Sequence, residues 1–485
     1  MNYCLSQNNR SMKRSPENFK QNVVEAFNQP ELKVAIRRTT DNAEKKRAAA
    51  IEAFPDFAAL RELGTKIKDH SIANLGFYLK QFEKNAIANG AVVHWANDAE
   101  EASSIVLKLC QQQEAKSVTR SKSMLGEEIG LPHVLDGAGI DRVETDLAEH
   151  IIQLACEPPS HIVWPALHKT REDVVALFRQ HHRDPVESEL IDDLVKSARI
   201  ELRQKFLQSD VGITGANFLI ADSGSICTVT NEGNAELTAT PPKMQIVTAG
   251  IEKIVPSMAH AVPLLRLLVR SATGGEIAQY TTFHNGPKRA NDADGPDEYH
   301  IVLVDNGRTK MLLQEDLAEM LRCIRCGACM NHCVVYKHIG GHAYGGTYPG
   351  PMGSVLTPVL DGLDRSKNLA HSCTLNGRCQ EVCPVSIPLP TMLRSWRAKS
   401  WERGYETTIG RIGIKCFVYL ANQPWLYRLS VSVAVQFMRL LSRDGWIRYL
   451  PLAGAWTKNR DMPATAKATF MQQYKASQHK SDGRH

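Results

Sequence analysis

The chain has 485 residues, which is too long for a single hydrophobic core and predicts two or three domains. Its hydrophobic fraction of 43% and charged fraction of 23% are those of an ordinary globular protein. The net charge of +6 is small for this length and gives no reason to expect nucleic-acid binding. Residues 1–30 are polar and charged, so we expect no secretory signal and a cytoplasmic location.

The first segment of the chain, residues 1–89, is predicted to be a helical N-terminal extension. From residue 16 onward it is rich in Ala, Glu, Lys, Arg and Leu and has few glycines, a composition that favours helix. Phe54-Pro55 interrupts the segment, because a proline disfavours helix in the residue before it. Several helices are therefore expected here.

Residues 90–312 show a different pattern, in which short β-rich runs alternate with helical stretches. A strand is predicted at 90–95, a helix at 98–113 and a second strand at 116–120. Further β-rich runs occupy residues 150–154, 218–221, 226–230, 245–248 and 301–305. This alternation of strands and helices predicts an α/β domain with a mainly parallel sheet.

The next segment begins with four cysteines at short, regular spacing. Two residues separate Cys323 from Cys326 and Cys326 from Cys329, and three residues separate Cys329 from Cys333. This is the ferredoxin spacing for iron–sulfur ligation, in which each short loop directs one thiolate to the cluster. Gly327 permits the close wrap of the backbone that a larger residue would obstruct. A structural zinc site is the alternative, but its ligands usually form two pairs far apart in sequence.

A second cysteine motif follows and is imperfect. Cys373, Cys379 and Cys383-Pro384 fall in the ferredoxin register, whereas Asn376 stands where the second cysteine belongs. In two-cluster ferredoxins the fourth cysteine of each motif ligates the neighbouring cluster. With that crossover the first cluster takes Cys323, Cys326, Cys329 and Cys383, and the second takes Cys333, Cys373 and Cys379.

We therefore expect two iron–sulfur clusters, of which the first is [4Fe-4S] and the second is [4Fe-4S] or [3Fe-4S]. The last iron of the second cluster is either absent or held by Asn376, by solvent or by another residue. The opposing interpretation is that the second motif is a structural remnant without a cluster. Cys383-Pro384 argues against a remnant, because this pair recurs where the fourth ligand turns away from its helix.

These motifs predict a mainly α-helical ferredoxin-type domain at residues 313–400 and a C-terminal helical region at residues 401–485. Residues 412–441 are apolar and aromatic, but their uncharged runs are shorter than the roughly 20 residues that a spanning helix needs. Helices that pack on the cluster domain or on a partner are expected, with peripheral membrane contact as the alternative. Residues 475–485 are predicted to be a disordered basic tail.

Several motifs together carry a resemblance to a known family. They are Ser121–Met124, Glu127–Gly130, Val143–Asp146, Pro159–Ile162, Gly212–Asn217, Ala221–Gly224, Asn231–Asn234, Phe283–Arg289 and Asp294–His300, followed by the cysteine motifs. With these motifs the chain resembles lactate utilization protein B, an iron–sulfur subunit of a multisubunit L-lactate-oxidising system. The resemblance runs from about residue 23 to the C-terminal helices, so it covers most of the chain.

The resemblance implies a lactate-utilization domain similar in fold to the ribose-5-phosphate isomerase and CoA-transferase group, and two [4Fe-4S] clusters. It also implies partner subunits, namely a cysteine-rich iron–sulfur protein and a second lactate-utilization-domain protein. Carried over by position, Cys323, Cys326, Cys329 and Cys383 hold the first cluster, and Cys333 and Cys379 serve the second. Asn376 departs from the commoner family pattern, which has cysteine there, and Cys373 is the candidate substitute.

Three further groups of polar residues are candidates for chemistry. Glu232 follows a predicted strand and is either a nucleophilic carboxylate or, as we favour, an acceptor of backbone hydrogen bonds in a tight loop. Lys122, Glu127 and Glu128 form either a polar-ligand site or, more simply, a group of surface ion pairs. Residues 283–289 combine two cations, an imidazole and a glycine turn, which suits an anion site as well as a plain basic loop.

His332, His338 and His342 lie near the cysteines in the sequence. We expect them to make hydrogen bonds that orient or tune a cluster, in preference to ligating iron. The sequence has no P-loop and no dinucleotide-binding glycine motif after a strand, so nicotinamide binding is not expected.

The function predicted from the sequence is electron transfer in an L-lactate dehydrogenase system that oxidises lactate to pyruvate. The first alternative is a self-contained enzyme that acts on an acid or acyl ligand through Glu232 or residues 283–289, with regulatory or structural clusters. The second is a scaffold whose clusters are purely structural.

Overall fold

The structure is a computed structural model that describes residues 15–184, 188–451, 454–457 and 460–482. It divides into two compact units, residues 1–403 and residues 404–485, which we describe separately. The first unit contains the α/β sheet and both cysteine motifs.

The first unit begins with helices, as the composition predicts. After a 3-10 turn at Pro16–Asn18, these are α1 (Phe19–Phe27), α2 (Pro30–Glu52), α3 (Phe57–Ala73) and α4 (Leu75–Ala88). The break between α2 and α3 falls at Phe54-Pro55, where the sequence predicts it.

Ten strands follow in the described part of the first unit. They are β1 (Val92–Ala96), β2 (Ser117–Arg120), β3 (Asp141–Glu144), β4 (Val211–Gly215), β5 (Phe218–Ile220), β6 (Ser225–Thr230), β7 (Met244–Gly250), β8 (Ile254–Val255), β9 (Tyr280–His284) and β10 (Glu298–Val304). Six of them form a sheet in the order β1-β10-β7-β4-β2-β3, in which every neighbouring pair is parallel. The mainly parallel sheet expected from the sequence is therefore present.

A second, smaller sheet was not expected. Its order is β8-β5-β6-β9, and only the β5–β8 pair is parallel. The sequence prediction also omitted β3, β4, β8 and β9. Three of the four residues of β3 are charged, β4 contains two glycines, β8 has only two residues, and β9 contains two threonines and a histidine, so these runs are too short or too polar to give a clear strand pattern.

Both faces of the parallel sheet are buried. Alternate residues of one strand serve opposite faces: Val302 and Val304 of β10 belong to one apolar cluster, and Ile301 and Leu303 to the other. The first face packs on α5 (Ala99–Gln112) and α7 (Leu131–Gly137), and the second on α4 and the smaller sheet. Burial on both faces explains the continuous apolar runs of the central strands.

The remaining helices of the α/β region are α6 (Met124–Glu128), α8 (Leu147–Leu154), α9 (Arg171–His181), α10 (Ile191–Gln208), α11 (Asn234–Ala239) and α12 (Met258–Ala272). The strand predicted at residues 150–154 is wrong, because these residues form the second half of α8. Asp146 caps this helix by accepting the N–H groups of Ala148 and Glu149, and Ile151 and Leu154 pack on Phe178.

The cysteine motifs lie among short helices. These are α13 (Arg308–Leu312), α14 (Ala328–Asn331), α15 (Tyr336–Ile339), α16 (Gly350–Leu360), α17 (Leu363–His371), α18 (Arg378–Glu381) and α19 (Leu389–Glu402), with 3-10 turns at Ala318–Arg322 and His342–Tyr344. No strand is assigned between residues 305 and 403, so this region is helical as predicted.

The second unit contains two neighbouring helices, α20 (Thr408–Ala421) and α21 (Pro424–Leu440), and the short elements β11 (Trp446–Ile447), α22 (Gly454–Thr457), β12 (Met462–Pro463) and α23 (Phe470–Asp482). The disordered tail predicted from residue 475 is wrong as far as residue 482, since α23 extends to Asp482, and residues 483–485 lie outside the described part. Among the described residues, no helix has both the length and the apolar character that crossing a bilayer requires.

Candidate iron–sulfur centre

Each cysteine motif wraps around a glycine with positive φ. Gly327 has φ +76° and precedes α14, which carries Cys329, while Gly377 has φ +83° and precedes α18, which carries Cys379. A Cβ atom at Gly327 would lie 3.0 Å from the Val163 side chain, so the close approach needs glycine as well as the left-handed backbone. This geometry agrees with the close wrap of the backbone that the sequence predicts at Gly327.

Four thiols converge on one apolar cavity. Cys323, Cys326 and Cys329 of the first motif and Cys383 of the second line it together with apolar residues, among them Met320, Ile324, Met352 and Ile387. Cys326 and Cys383 are buried, and Cys323 and Cys329 are half-buried. The structure therefore brings together the four cysteines that the crossover pattern assigns to the first cluster.

The electrostatics of this cavity suit a charged metal cluster. Burial raises the pKa of the Cys326 thiol to about 12 and that of Cys383 to about 11, and the neighbouring thiols add to the effect. Four thiolates would therefore not coexist here unless a polycationic group balanced their charge. Thiol donors around an apolar cavity fit an iron–sulfur cluster.

The other three motif cysteines form a second group. Burial raises the pKa of the Cys379 thiol to about 12, with nearby Cys373 and Cys333 as further causes. The pKa of Cys333 is likewise raised by burial and by Cys373, while backbone N–H groups of Tyr336 and Val335 and the Tyr344 side chain oppose the rise. These three thiols are the set predicted for the second cluster, and the same argument indicates that they fit a metal cluster.

Asn376 is exposed, and its side-chain oxygen accepts the backbone N–H of Arg378 at 3.1 Å. Next to it, the Cys373 sulfur accepts the N–H of Leu375 at 3.3 Å. Asn376 thus stabilises the loop between Cys373 and Cys379.

Arginines from distant helices fix the second motif. Arg61 of α3 donates to the carbonyl oxygens of Cys383 at 2.7 Å and Gln380 at 3.1 Å, and Arg47 of α2 donates to that of Val382 at 2.9 Å. On the other side, Arg397 of α19 donates to the Cys373 carbonyl. The N-terminal helices therefore position the ligand loop, which no sequence signal indicated.

A buried ionic network lies beside Cys323. Arg308 pairs with Glu252 at 2.5 Å and with Glu128 at 2.8 Å, and Tyr348 donates to Glu128 at 2.6 Å. The Arg325 guanidinium lies 4.4 Å from the centre of the Tyr348 ring. Burial alone would raise the pKa of Glu252, but Arg308 and Arg325 hold it at about 2.

This network connects the parallel sheet to the first cysteine motif. Glu252 follows the carboxyl end of β7, Arg308 follows β10, and Arg325 lies between Cys323 and Cys326. Arg325 is a functional candidate that the sequence analysis missed, because its partners lie more than 20 residues away in the chain.

The other candidate residues do not gather into one site. Glu232 accepts the N–H of Leu147 at 3.2 Å, at the start of α8. Glu127 pairs with Arg120, Glu128 with Arg308, and the Lys122 amine donates to the Val163 carbonyl, so these three side chains have separate partners.

In residues 283–289, Lys288 pairs with Asp297 at 2.7 Å and the Arg289 N–H donates to Asp292 at 2.8 Å. Of the two cations, Lys288 is therefore paired with a carboxylate, whereas Arg289 contacts Asp292 through its backbone. The histidines make hydrogen bonds: His332 to the Ala328 carbonyl at 2.8 Å, His338 to that of Val334 at 2.6 Å and His342 to that of Pro158 at 2.8 Å.

Two family models match the chain. Residues 79–304 match the LUD domain, and residues 319–387, which contain all seven cysteines of the two groups, match the 4Fe-4S dicluster domain. The first range covers the parallel sheet and the second covers the cysteine region.

Three relatives are similar over nearly the whole length. Lactate utilization protein B of Bacillus subtilis is 41% identical, and the alignment covers 95% of this chain and 96% of that protein. The protein of the same name from Oceanobacillus iheyensis is 40% identical, with the same coverage. The electron transport protein YkgF of Escherichia coli K12 is 38% identical over 96% of this chain and 98% of that protein. A solved DUF162-family protein from Deinococcus radiodurans aligns at 14% identity over 47% of this chain and 98% of that one, with a TM-score of 0.28.

Proposed function

Because the chain belongs to the lactate utilization protein B family, we propose that it transfers electrons in the oxidation of L-lactate. The observation that carries the proposal is the presence of two separate groups of buried thiols in one compact region. The names of the relatives supply the substrate and the electron-transport role.

Oxidation of L-lactate to pyruvate releases two electrons and two protons. Clusters bound by the two thiol groups would accept and pass on single electrons, so two of them in one chain suit a two-electron donor. The chain's own residues hold the thiols in place through the turns at Gly327 and Gly377 and the arginine contacts to the second motif. We propose that a partner subunit cleaves the C–H bond.

We also propose a composition for each cluster. The first thiol group has four cysteines, which supports [4Fe-4S]. The second has three cysteines and Asn376, which supports either [3Fe-4S] or a [4Fe-4S] cluster with one non-cysteine ligand. We further propose that the α/β domain is similar to the ribose-5-phosphate isomerase and CoA-transferase group, on the basis of the motifs shared with the family.

We propose that the chain works in a complex with a cysteine-rich iron–sulfur protein and a second lactate-utilization-domain protein. Large apolar side chains of α20 and α21 are exposed, among them Ile409, Phe417 and Trp425, and this supports a docking surface. The same side chains could instead contact a membrane surface, which vesicle co-sedimentation of the chain alone would reveal.

The test is a lactate-reduction experiment with anaerobically purified, oxidised holoprotein. L-lactate is added with and without the two partner proteins, and the visible absorbance of the clusters is followed. We expect bleaching only when the partners are present, since the chain alone has no described group placed to remove hydride from lactate.

Two results would contradict the proposal in different ways. Bleaching of the isolated chain would assign catalysis to this protein and revive the alternative of a self-contained enzyme. Intact clusters that do not bleach in any mixture would rule out the lactate function and leave only the iron–sulfur assignment. D-lactate serves as the control for the hand of the substrate.

A further inference from the structure

Three side chains with metal-ligating atoms meet away from the cysteines. Glu157 and His168 lie in the segment between α8 and α9, and His342 begins the 3-10 turn between α15 and α16. One ligating atom from each lies within 4.8 Å of the other two. The two imidazole rings meet edge to face, with centroids 4.6 Å apart. Two imidazoles and a carboxylate are a common donor set for divalent first-row transition metals.

The hydrogen bonds of His168 determine which of its nitrogens carries a lone pair. The Ser160 hydroxyl oxygen lies 2.9 Å from the Pro165 carbonyl oxygen, and once its one proton is donated there it has no second proton to give. It also lies 2.8 Å from His168 Nδ1, so in this arrangement that nitrogen is the donor. In a neutral imidazole the lone pair is then on Nε2.

That lone pair points at a carboxylate. His168 Nε2 lies 2.7 Å from Glu157 Oε2, and the His168 side chain is only 8% exposed. An imidazole lone pair and a carboxylate oxygen repel at this distance, so a proton or a metal ion must lie between them.

His342 is oriented in the same way. Its Nε2 is 2.8 Å from the Pro158 carbonyl oxygen, which can only accept, so Nε2 carries the proton and Nδ1 carries the lone pair. Metal-ligating histidines typically donate their second N–H to a carbonyl or another acceptor, which fixes the tautomer and the ring orientation. Both His168 and His342 have this arrangement.

We propose that Glu157, His168 and His342 form a binding site for a divalent transition-metal ion, distinct from the cysteine sites. Zinc is the preferred ion, because it takes nitrogen and oxygen ligands in a four-coordinate geometry and leaves the fourth position to water here. Metal bonds of about 2.0–2.2 Å place ligands roughly 3.3 Å apart, so Glu157 moves back from His168 by about half an ångström when the ion binds. Lys169, which contacts Glu157 Oε1 at 2.7 Å, keeps the other carboxylate oxygen.

The position of the site suggests what the ion does. Glu157 and His168 belong to the α/β region, whereas His342 belongs to the helical cysteine region, two residues before Tyr344, whose side chain contacts Cys333. A metal ion bound by all three joins these regions next to the second thiol group. We therefore assign it a structural role that fixes the cysteine region on the α/β domain.

The test uses anaerobic holoprotein with intact clusters, so that the cysteines are not available to added metal. Zn²⁺ is titrated by calorimetry, and bound zinc is counted after gel filtration. We expect one equivalent per chain at micromolar protein and a higher thermal unfolding temperature. Zinc-edge X-ray absorption should show nitrogen and oxygen neighbours at about 2.0–2.1 Å, with imidazole scattering.

Three variants and one matched control identify the site. H168Q and H342Q should each weaken zinc binding at least about 100-fold, because loss of a ligand costs more than loss of its supporting hydrogen bond. K169M should tighten binding, since the competing cation on Glu157 is gone. H338Q is the control: His338 lies in the same segment and contacts Arg37, and it should bind zinc like the wild type.

Any of three results would overturn the proposal. Zinc that binds only at millimolar concentration would mean that a proton bridges His168 and Glu157. Sulfur neighbours at about 2.3 Å would mean that zinc enters the cysteine sites. Equal affinities of the wild type, H168Q and H342Q would place the ion elsewhere.

Discussion

The first cysteine motif, residues 323–333, and the second, residues 373–383, correspond position by position. Arg325 and Leu375 both have positive φ, at 61° and 56°, and in each motif a left-handed glycine follows two residues later and begins a four-residue helix. The two motifs therefore share a backbone. They differ in ligand set and in charge, which means that these loops do not depend on a full set of thiols.

The ligand difference is between Cys326 and Asn376. The Cys326 sulfur accepts the N–H of Ala328, and the Asn376 oxygen accepts the N–H of Arg378, which is the equivalent residue. Asparagine thus replaces the thiol as a hydrogen-bond acceptor and preserves the turn. The replacement removes a thiol from the motif without changing how the loop folds.

The charge difference is between Arg325 and Leu375. Arg325 is held against Tyr348 and Glu252 beside the first thiol group, whereas the equivalent position of the second motif carries no charge. Since nearby positive charge stabilises a reduced cluster, the first cluster should have the higher potential of the two.

The largest effects should come from the thiols themselves. C326S removes one of the four thiols around the first cavity, and we expect iron content to fall by about half, with loss of the first cluster's electron paramagnetic resonance signal. C373S should remove only the second signal. C416S is the control, because Cys416 is exposed and lies outside both motifs. A C373S protein with unchanged iron and spectrum would show that Cys373 is not a ligand.

A smaller change in iron content is expected when the second motif is given the same four cysteines as the first. N376C supplies the missing thiol, and we predict a gain of about one iron per chain and conversion of the second cluster to a four-iron form. N376S retains an acceptor oxygen for the Arg378 N–H and should leave the iron content as it is. If N376C also binds no additional iron, the second cluster is already complete with its three cysteines and another ligand.

The next effect in size should be that of the Arg325 charge on the reduction potential of the first cluster. R325L makes the first motif resemble the second, and we expect the potential of the first cluster to fall by about 50–100 mV, the effect of a unit charge at an effective dielectric constant near 20. A redox titration followed by electron paramagnetic resonance measures it. L375M is the neutral control at the equivalent position. Unchanged midpoints in R325L would mean that Lys68, Lys253 and Arg308 set the local field, since Lys68 and Arg308 are buried there and Lys253 is half-buried near Arg308.

The sequence predicts the two thiol groups and the parallel sheet because both depend on short, regular patterns. Cysteine spacing identifies the seven thiols that the fold gathers into two groups, and β-rich runs separated by helices identify most strands of the larger sheet. The strand predicted at 150–154 is wrong because a five-residue run with three apolar residues fits either structure, and the Asp146 cap favours helix. Contacts of Arg47, Arg61 and Arg325 could not be predicted, since each joins residues brought together only by the complete fold.

The smallest effect should be on stability, and it should come from the contacts that anchor each motif to the surrounding protein. Asn331 of the first motif is buried, and its oxygen lies 3.1 Å from Nε2 of buried His161. Because His161 Nδ1 accepts the N–H groups of Val163 and Trp164, Nε2 carries the proton and donates to Asn331. The equivalent residue of the second motif is Glu381, which pairs only with its neighbour Arg378 among the described residues and is largely exposed.

N331A leaves the buried His161 N–H without an acceptor, and we expect it to destabilise the holoprotein by about 1–3 kcal/mol. E381A should have no measurable effect, because an exposed pair within one helical turn contributes little. Urea unfolding of both variants, followed by circular dichroism under anaerobic conditions, makes the comparison. If both variants unfold at the wild-type urea concentration, the His161–Asn331 contact does not anchor the first motif. The two motifs would then differ only in their set of thiols and in charge.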